Sequence, residues 1–413
     1  MPEFLKLLPP AQALALWMQA LPAGFPSIEE VGLDACAGRI LARPVIAPEA
    51  LPAFARATVD GYAVKAADTH GASDGLPAYL RLAGEIPMGK AAGLRLAGGE
   101  AAAIHTGGML PEGADAVVML EYTQPVGADE IEINRPAAVN ENILLPGEDV
   151  AVGQEVLPKG KRLGAAEVGG LAALGITRAA VFRKLRVAII SSGDEIVPAD
   201  VRPAPGQVRD VNSLALKTLV ENCGGEGVLY GIVGDSPQLL AERLRAALRE
   251  CDLAVITAGS SASARDHTAA VIDQSGAPGV LVHGVNVKPG KPTILAVCDG
   301  KPVVGLPGNP VSALVIARLF VLPLLVRLSG GAEAHSAPIC RARLTQNLPS
   351  QAGREDWTPV RLIQSPDGMT VEPIFYKSNL IFSLARADGL VRTAPEATGL
   401  EAGANVEVWA LER

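Results

Sequence analysis

The chain has 413 residues, 49% hydrophobic against 19% charged, a balance that excludes a disordered protein and supplies apolar side chains for about two to four cores. Its 36 Lys and Arg against 44 Asp and Glu leave a net charge of -8, so no basic excess exists for general nucleic-acid binding, although local clusters can still hold small anions. Aromatic residues reach only 4%, so the cores must be aliphatic. The cysteines, Cys36, Cys223, Cys251, Cys298 and Cys340, are odd in number and far apart, with no CxxC pair, as suits reduced thiols in cytosol. No HExxH or other zinc spacing occurs among the histidines.

In chain order, Glu3 and Lys6 precede Pro9-Pro10 and a Leu/Ala-rich stretch that reads as an amphipathic helix rather than a signal peptide. Residues 30 to 180, rich in Gly, Pro and short Val/Ile runs with turns such as Pro111-Glu112-Gly113 and Pro146-Gly147, predict mostly β structure with few helices. From Lys184 to about Leu328 strands alternate with helices. Leu185 to Ile190 is a buried-strand run, and Asn212-Ser213 opens a helix that stops at Gly224-Gly225. A strand at Val228 to Val233 follows, then Ser236 as N-cap, Pro237 at the first helical position, a helix from Gln238 to Arg249 and a strand from Leu253 to Thr257. This alternation predicts parallel pairing in a doubly wound α/β domain. Thr293 to Val297 and Pro302 to Gly305, joined across Asp299-Gly300, predict a hairpin added to that sheet. The apolar run Val311 to Val326 is interrupted by Arg318 and Pro323, short of the roughly 20 clean residues of a membrane span, so a soluble cytoplasmic protein is expected. Beyond Ser329, alternating runs such as Val360-Arg361-Leu362 and Val406-Glu407-Val408 predict a small β domain.

Ligands of a doubly wound sheet bind beyond the carboxyl ends of its strands. The first strand runs into Ser191-Ser192-Gly193-Asp194-Glu195, where small residues admit a ligand and two carboxylates face it; a helix-capping turn is the plain alternative. The strand at 253–257 ends in Ala258-Gly259-Ser260-Ser261-Ala262-Ser263, followed by Asp266, a small-residue loop able to bind an oxyanion or to be an ordinary polar loop. A third strand ends in Gly305-Leu306-Pro307-Gly308-Asn309-Pro310-Val311-Ser312, turning into a long helix capped by Asn309 with free amides facing outward. Lys288-Pro289-Gly290-Lys291 adds two cations, which as solvated surface lysines would need no explanation. Beside Asp194, Glu195, Asp210 and Asp266 they make a mixed site of the kind phosphoanhydride chemistry uses, carboxylates for magnesium and lysines for phosphate.

These segments, with Val59-Asp60-Gly61-Tyr62, Thr106-Gly107, Pro111 to Val118, Gly147-Glu148-Asp149 and Gly206-Gln207, resemble in their order the molybdopterin molybdenumtransferase family, which includes bacterial MoeA and the C-terminal domain of gephyrin. The resemblance implies a multidomain α/β plus β protein: residues 1–46 with 147–180 as a discontinuous dimerisation domain, an inserted β-rich domain at 47–146, an α/β molybdopterin-binding domain at 181–328 and a β-barrel-like domain at 329–413. It implies an enzyme that takes adenylylated molybdopterin and molybdate, uses Mg2+, releases AMP and leaves molybdenum cofactor. By the same resemblance Glu195, Asp210 and Asp266 hold magnesium and pterin phosphate, while Lys288 and Lys291 contact phosphate or molybdate. The pterin nucleotide would rest on Ser192, Gly193, Asp194 and Asn212, on Gly259, Ser260 and Ser261, and on Pro307, Gly308, Asn309 and Ser312. Asp60, Thr106 and Asp149 would come from the partner of a homodimer, with Ser378 lining the cleft; molybdoenzymes and the adenylyltransferase of the pathway are further candidate partners.

The chain departs from the family pattern at Leu144-Leu145-Pro146, where many members carry arginines, at Gly284 beside His283, where they carry a lysine, and in the Ala258 to Ser263 loop. These departures leave two alternatives to the enzyme: a non-catalytic molybdopterin-binding or carrier paralogue, and a tungstate-inserting variant.

Overall fold

The structure, a computed structural model, describes residues 7–22, 24, 26–258, 262–331, 337–366 and 368–411 and, along 262–266, the backbone alone. At its centre is a six-stranded sheet in the order Glu226–Val233, Arg186–Ser192, Leu253–Ala258, Lys301–Pro307, Ile294–Cys298, Pro278–His283. The first four strands are mutually parallel, and the expected 294–307 hairpin makes Ile294–Cys298 run against its neighbours.

Alternate residues of the strands serve opposite faces. Val187 and Ile189 pack on one side with Leu216, Leu219 and the helices after Pro310; Ala188 and Ile190 pack on the other with Leu240, Leu244 and Ile272. The sheet is therefore covered by helices on both faces, as its continuous apolar strands require. The predicted helix signals hold locally: Ser236 Oγ accepts the Leu239 amide at 3.4 Å at the start of Pro237–Glu250. The N-terminal helix, Pro10–Gln19, lies on this sheet, where Trp17 Nε1 donates to the Ala296 carbonyl at 2.7 Å.

The long helix expected after Asn309 is present. Arg318 and Pro323 do not interrupt it: Pro310–Ile316, a π-helical stretch Ala317–Val321 and Leu322–Leu328 follow without a break, the π turn absorbing the amide that Pro323 lacks. With a mean hydropathy of 2.2 over 18 residues this run is long and apolar enough to cross a membrane, but 72% of that window is buried against the sheet and barrel, which makes it a core helix.

Two β units flank the centre. Residues 61–133 form a six-stranded sheet in the order Ala116–Met119, Gly61–Val64, Glu100–Ile104, Ala78–Glu85, Glu130–Ile133, Thr123–Val126, with few helical residues as expected. Around it, Ile28–Gly32 pairs with Arg178–Phe182, and Cys36, Leu41, Leu163 and Leu171 share a small core. After residue 340, five strands close on themselves because Glu355–Ser365 pairs with both Gly368–Pro373 and Gly389–Thr393. Val287–Lys288, leaving the central sheet, adds to this barrel in parallel register with Glu355–Asp356.

Candidate functional site

Four neighbouring parallel strands present their carboxyl ends on one edge of the central sheet, and side chains of opposite charge gather at its two sides. At the acidic side, Arg186–Ser192 runs into Gly193-Asp194-Glu195, and Asp194 Oδ1 accepts the Asp235 amide at 3.0 Å. Glycine suits position 193, where φ is +153° and a Cβ would stand 2.7 Å from Glu195 Oε2. Burial, then the charges of Asp194 and Glu195, push the Asp235 carboxyl above the usual aspartate range. Asp235 was absent from the sequence reading, although Gly234-Asp235-Ser236-Pro237 ends a strand just as the chosen segments do.

A short parallel ladder, Ile196–Val197 with Val208–Arg209, brings Asp210 to this side. Its Oδ1 accepts the Ser213 amide at 3.0 Å, so one oxygen caps the Asn212–Asn222 helix. Asn212 Nδ2 donates to the Gly308 carbonyl at 2.8 Å, tying the acidic side to the next strand end, and Asn212 Oδ1 is a buried acceptor without a protein donor. Ser192 is buried beside Asp235 and His267. Gly259, Ser260, Ser261 and the Asp266 side chain lie outside the described residues.

At the other side lies a cleft of about 870 Å³ between the sheet and the barrel. Lys288, Lys291, Pro307, Gly308, Asn309 and Ser312 line one wall; Arg354, Asp356, Trp357, Tyr376, Lys377 and Ser378 line the other. The cleft thus unites seven of the sequence candidates, and the 287–288 pairing with 355–356 is what joins its walls. Lys288 Nζ is 3.8 Å from Asp356 Oδ2, and Arg354 Nε donates to Asp356 Oδ1 at 2.9 Å; the Asp356 side chain is 6% exposed. Two lysines, an arginine and a third lysine against one buried carboxylate leave the cleft net positive, suited to phosphate or an oxyanion. Four cations around one carboxylate make charge stabilisation of a phosphate or oxyanion the chemistry that this lining favours. Burial and the Asp356 charge push the Tyr376 hydroxyl upward, keeping it a proton donor, here to the Trp357 carbonyl at 3.1 Å.

Asn309 corrects one expectation. It occupies the N-cap position but makes no side-chain cap; its Nδ2 donates instead to Ser378 Oγ at 3.0 Å, across the cleft wall. The wider barrel contribution, Arg354, Asp356 and Lys377, was not among the sequence candidates.

Asp60 and Thr106 meet in the inserted sheet. Asp60 Oδ1 accepts the Thr106 amide at 2.7 Å and Thr106 Oγ1 at 3.1 Å, and these bonds hold the Asp60 carboxyl below its usual range, with His105 adding to the effect. Gly61 lets the strand approach, since a Cβ there would lie 1.9 Å from the Val118 carbonyl oxygen. Asp149 is exposed, its amide bonded to the Leu51 carbonyl at 3.0 Å. None of these three lines the Lys288 cleft of its own chain.

Three family models match the chain in tandem: "MoeA N-terminal region (domain I and II)" at residues 8–175, "Probable molybdopterin binding domain" at 188–327 and "MoeA C-terminal region (domain IV)" at 341–411. The molybdopterin molybdenumtransferase of Nostoc sp. is 33% identical over 388 residues, covering 93% of this chain and 88% of that protein. Molybdopterin molybdenumtransferase 2 of Mycobacterium tuberculosis is 34% identical over 385 residues, 92% of this chain and 94% of that one. Among solved structures, the molybdopterin biosynthesis MoeA protein of Pyrococcus horikoshii aligns over 97% of this chain and 99% of its own, with a TM-score of 0.83 and 32% identity.

Proposed function

The chain belongs to the MoeA family of molybdopterin molybdenumtransferases, enzymes of molybdenum cofactor biosynthesis, and from that membership we propose how its charged edge serves the reaction. Adenylylated molybdopterin and molybdate are the substrates; water opens the phosphoanhydride and AMP leaves, while the dithiolene sulfurs displace oxygen from molybdate as water and keep the molybdenum. Lys288 and Lys291, with Arg354 and Lys377 opposite, bind the phosphates and the incoming oxyanion. Asn212 and the Pro307, Gly308, Asn309 and Ser312 turn hold the pterin, the free Asn212 Oδ1 being placed to accept from a ring N–H. Ser192, Gly193 and Asp194 bound the same pocket from the neighbouring strand end.

A divalent cation fits the acidic side in two respects: its donors are carboxylate oxygens, and such an ion would offset both the burial that chiefly raises the Asp235 carboxyl and the charges of Asp194 and Glu195 that add to it. Among the described residues no three metal-ligating side chains converge, so the set assigned to Mg2+, Glu195, Asp210 and Asp266, depends on Asp266. The ion would neutralise charge on the phosphoanhydride. Asp60, Thr106 and Asp149 are assigned to the cleft of a partner subunit in a homodimer, a reading supported by the exposed, preorganised Asp60–Thr106 pair and its distance from its own cleft. The protein is proposed to act in the cytoplasm.

The observation that carries this reading is the cleft of Lys288, Lys291, Arg354 and Lys377 beside the acidic strand ends. Purified protein given adenylylated molybdopterin, molybdate and Mg2+ should release AMP and load molybdenum; neither product at saturating substrate would refute the assignment.

A further inference from the structure

Among the described residues Arg318 is a buried cation with no anion paired to it. It belongs to the π-helical stretch Ala317–Val321 and is 6% exposed. Burial alone, with no charged group contributing, pushes its guanidinium down to about 10, so it remains a cation at neutral pH. Its Nε donates to the Ala410 carbonyl, and its Nη2 is buried without a hydrogen-bond partner. The guanidinium lies 5.4 Å from the Trp357 ring centre and 5.6 Å from that of Trp409, in the corner of an edge-to-face pair 6.0 Å apart at 73°.

Packing does not explain an arginine here, because an apolar side chain of similar length would fill the same interface without a desolvated charge. What the guanidinium adds is direction: it is attracted to two ring faces and to one carbonyl, all on the barrel. Trp357 sits between cleft residues Asp356 and Thr358, its indole N–H donates to Glu355 Oε1 at 2.7 Å, and Glu355–Asp356 is the segment paired with Val287–Lys288. Contact therefore runs from Arg318 through Trp357 and Asp356 to Lys288.

We propose that Arg318 is a positioning residue for the anion cleft: held by Trp357 and Trp409, it fixes the angle of the barrel on the central sheet and so the spacing of Lys288 and Lys291 from Arg354 and Lys377. The kinetic part of its test rests on the functional reading above; the exchange part does not. In full-length Arg318→Met, thermal stability should be unchanged or higher, while amide hydrogen exchange at Val287–Lys288 and Glu355–Trp357 quickens about tenfold and exchange along Arg186–Ser192 stays as it was. KM for adenylylated molybdopterin should rise roughly tenfold with kcat within about twofold, and Arg318→Lys should recover part of the loss. If the methionine variant does not fold, Trp409→Phe, which weakens one ring face and keeps an aromatic, should shift both readouts in the same direction by less. Unchanged exchange at the 287–288 and 355–357 pair overturns the proposal, and so does altered exchange with unaltered KM. Absence of turnover in the wild-type enzyme would count against the functional reading, and exchange would then decide the positioning role.

Discussion

The two sides of one sheet edge are built in different ways. The acidic side draws Asp194, Glu195, Asp210 and Asp235 from strand ends and turns of a single α/β unit, each held by its own backbone bonds. The cationic side is assembled across two units, half from the 288–312 turns and half from a barrel whose strands lie far along the chain. Arg186–Ser192, which runs into the acidic turn, and Lys301–Pro307, which runs into the cleft wall, are separated by Leu253–Ala258 alone, two strand spacings or roughly 10 Å. That suits one extended ligand whose phosphoanhydride, with its cation, would face the acidic end and whose other anionic groups would face the lysines.

The largest effect that would sharpen this division is expected from Lys288→Ala, which removes a charge aimed at the phosphates: kcat/KM for AMP release should fall about 100-fold, and extra Mg2+ should not restore it. Glu195→Gln should cost about 30-fold at low Mg2+ and recover as Mg2+ is raised, because the defect is in holding the ion. If both variants respond to Mg2+ alike, the two sides do not have separate tasks. Asp60→Ala should lose about tenfold. Mixed with Lys288→Ala subunits at random, it should regain about a quarter of the wild-type activity, because a heterodimer has one intact site if each cleft draws on both subunits. No recovery would place Asp60 outside the partner's cleft.

The opposite edge of the sheet supplies a control. There Asp252 accepts Arg183 Nη1 at 2.7 Å, Nη2 at 2.6 Å and the Arg186 amide at 2.8 Å. Burial pushes its carboxyl up, but the Arg183 hydrogen bonds and the Arg186 amide outweigh that and hold it below the usual range. A depressed carboxylate contributes stability above the unfolded-state value near about 3.9, and that contribution fades as pH falls through the lower folded value. Asp252→Asn should therefore lose about 2 kcal/mol at pH 7, converge with wild type in acid melts, and leave kcat and KM unchanged.

The same contrast explains what could be read in the sequence. Strand ends such as Ser192 to Glu195 and Gly305 to Ser312 were legible because a strand, a tight turn and a helix start are neighbours in the chain. Arg354, Asp356 and Lys377 were not, because only the pairing of Val287–Lys288 with Glu355–Asp356 brings them to the cleft, and register between distant segments leaves no local pattern. Asn309 looked like a helix cap because capping is a local rule; Ser378, 69 positions away, takes its side chain instead. Pro323 is tolerated inside the long helical run because a π turn precedes it, and nothing local in the sequence announces that turn. Asp235 followed the same strand-end logic as its neighbours and could have been found.

Equilibrium binding of adenylylated molybdopterin to wild type, Lys288→Ala and Glu195→Gln, each with and without Mg2+, tests the divided edge most directly. The account predicts that Lys288→Ala weakens binding under both conditions, whereas Glu195→Gln weakens it at limiting Mg2+ and not in its absence. Full-strength binding by the lysine variant, or a glutamate defect of equal size without Mg2+, would contradict it.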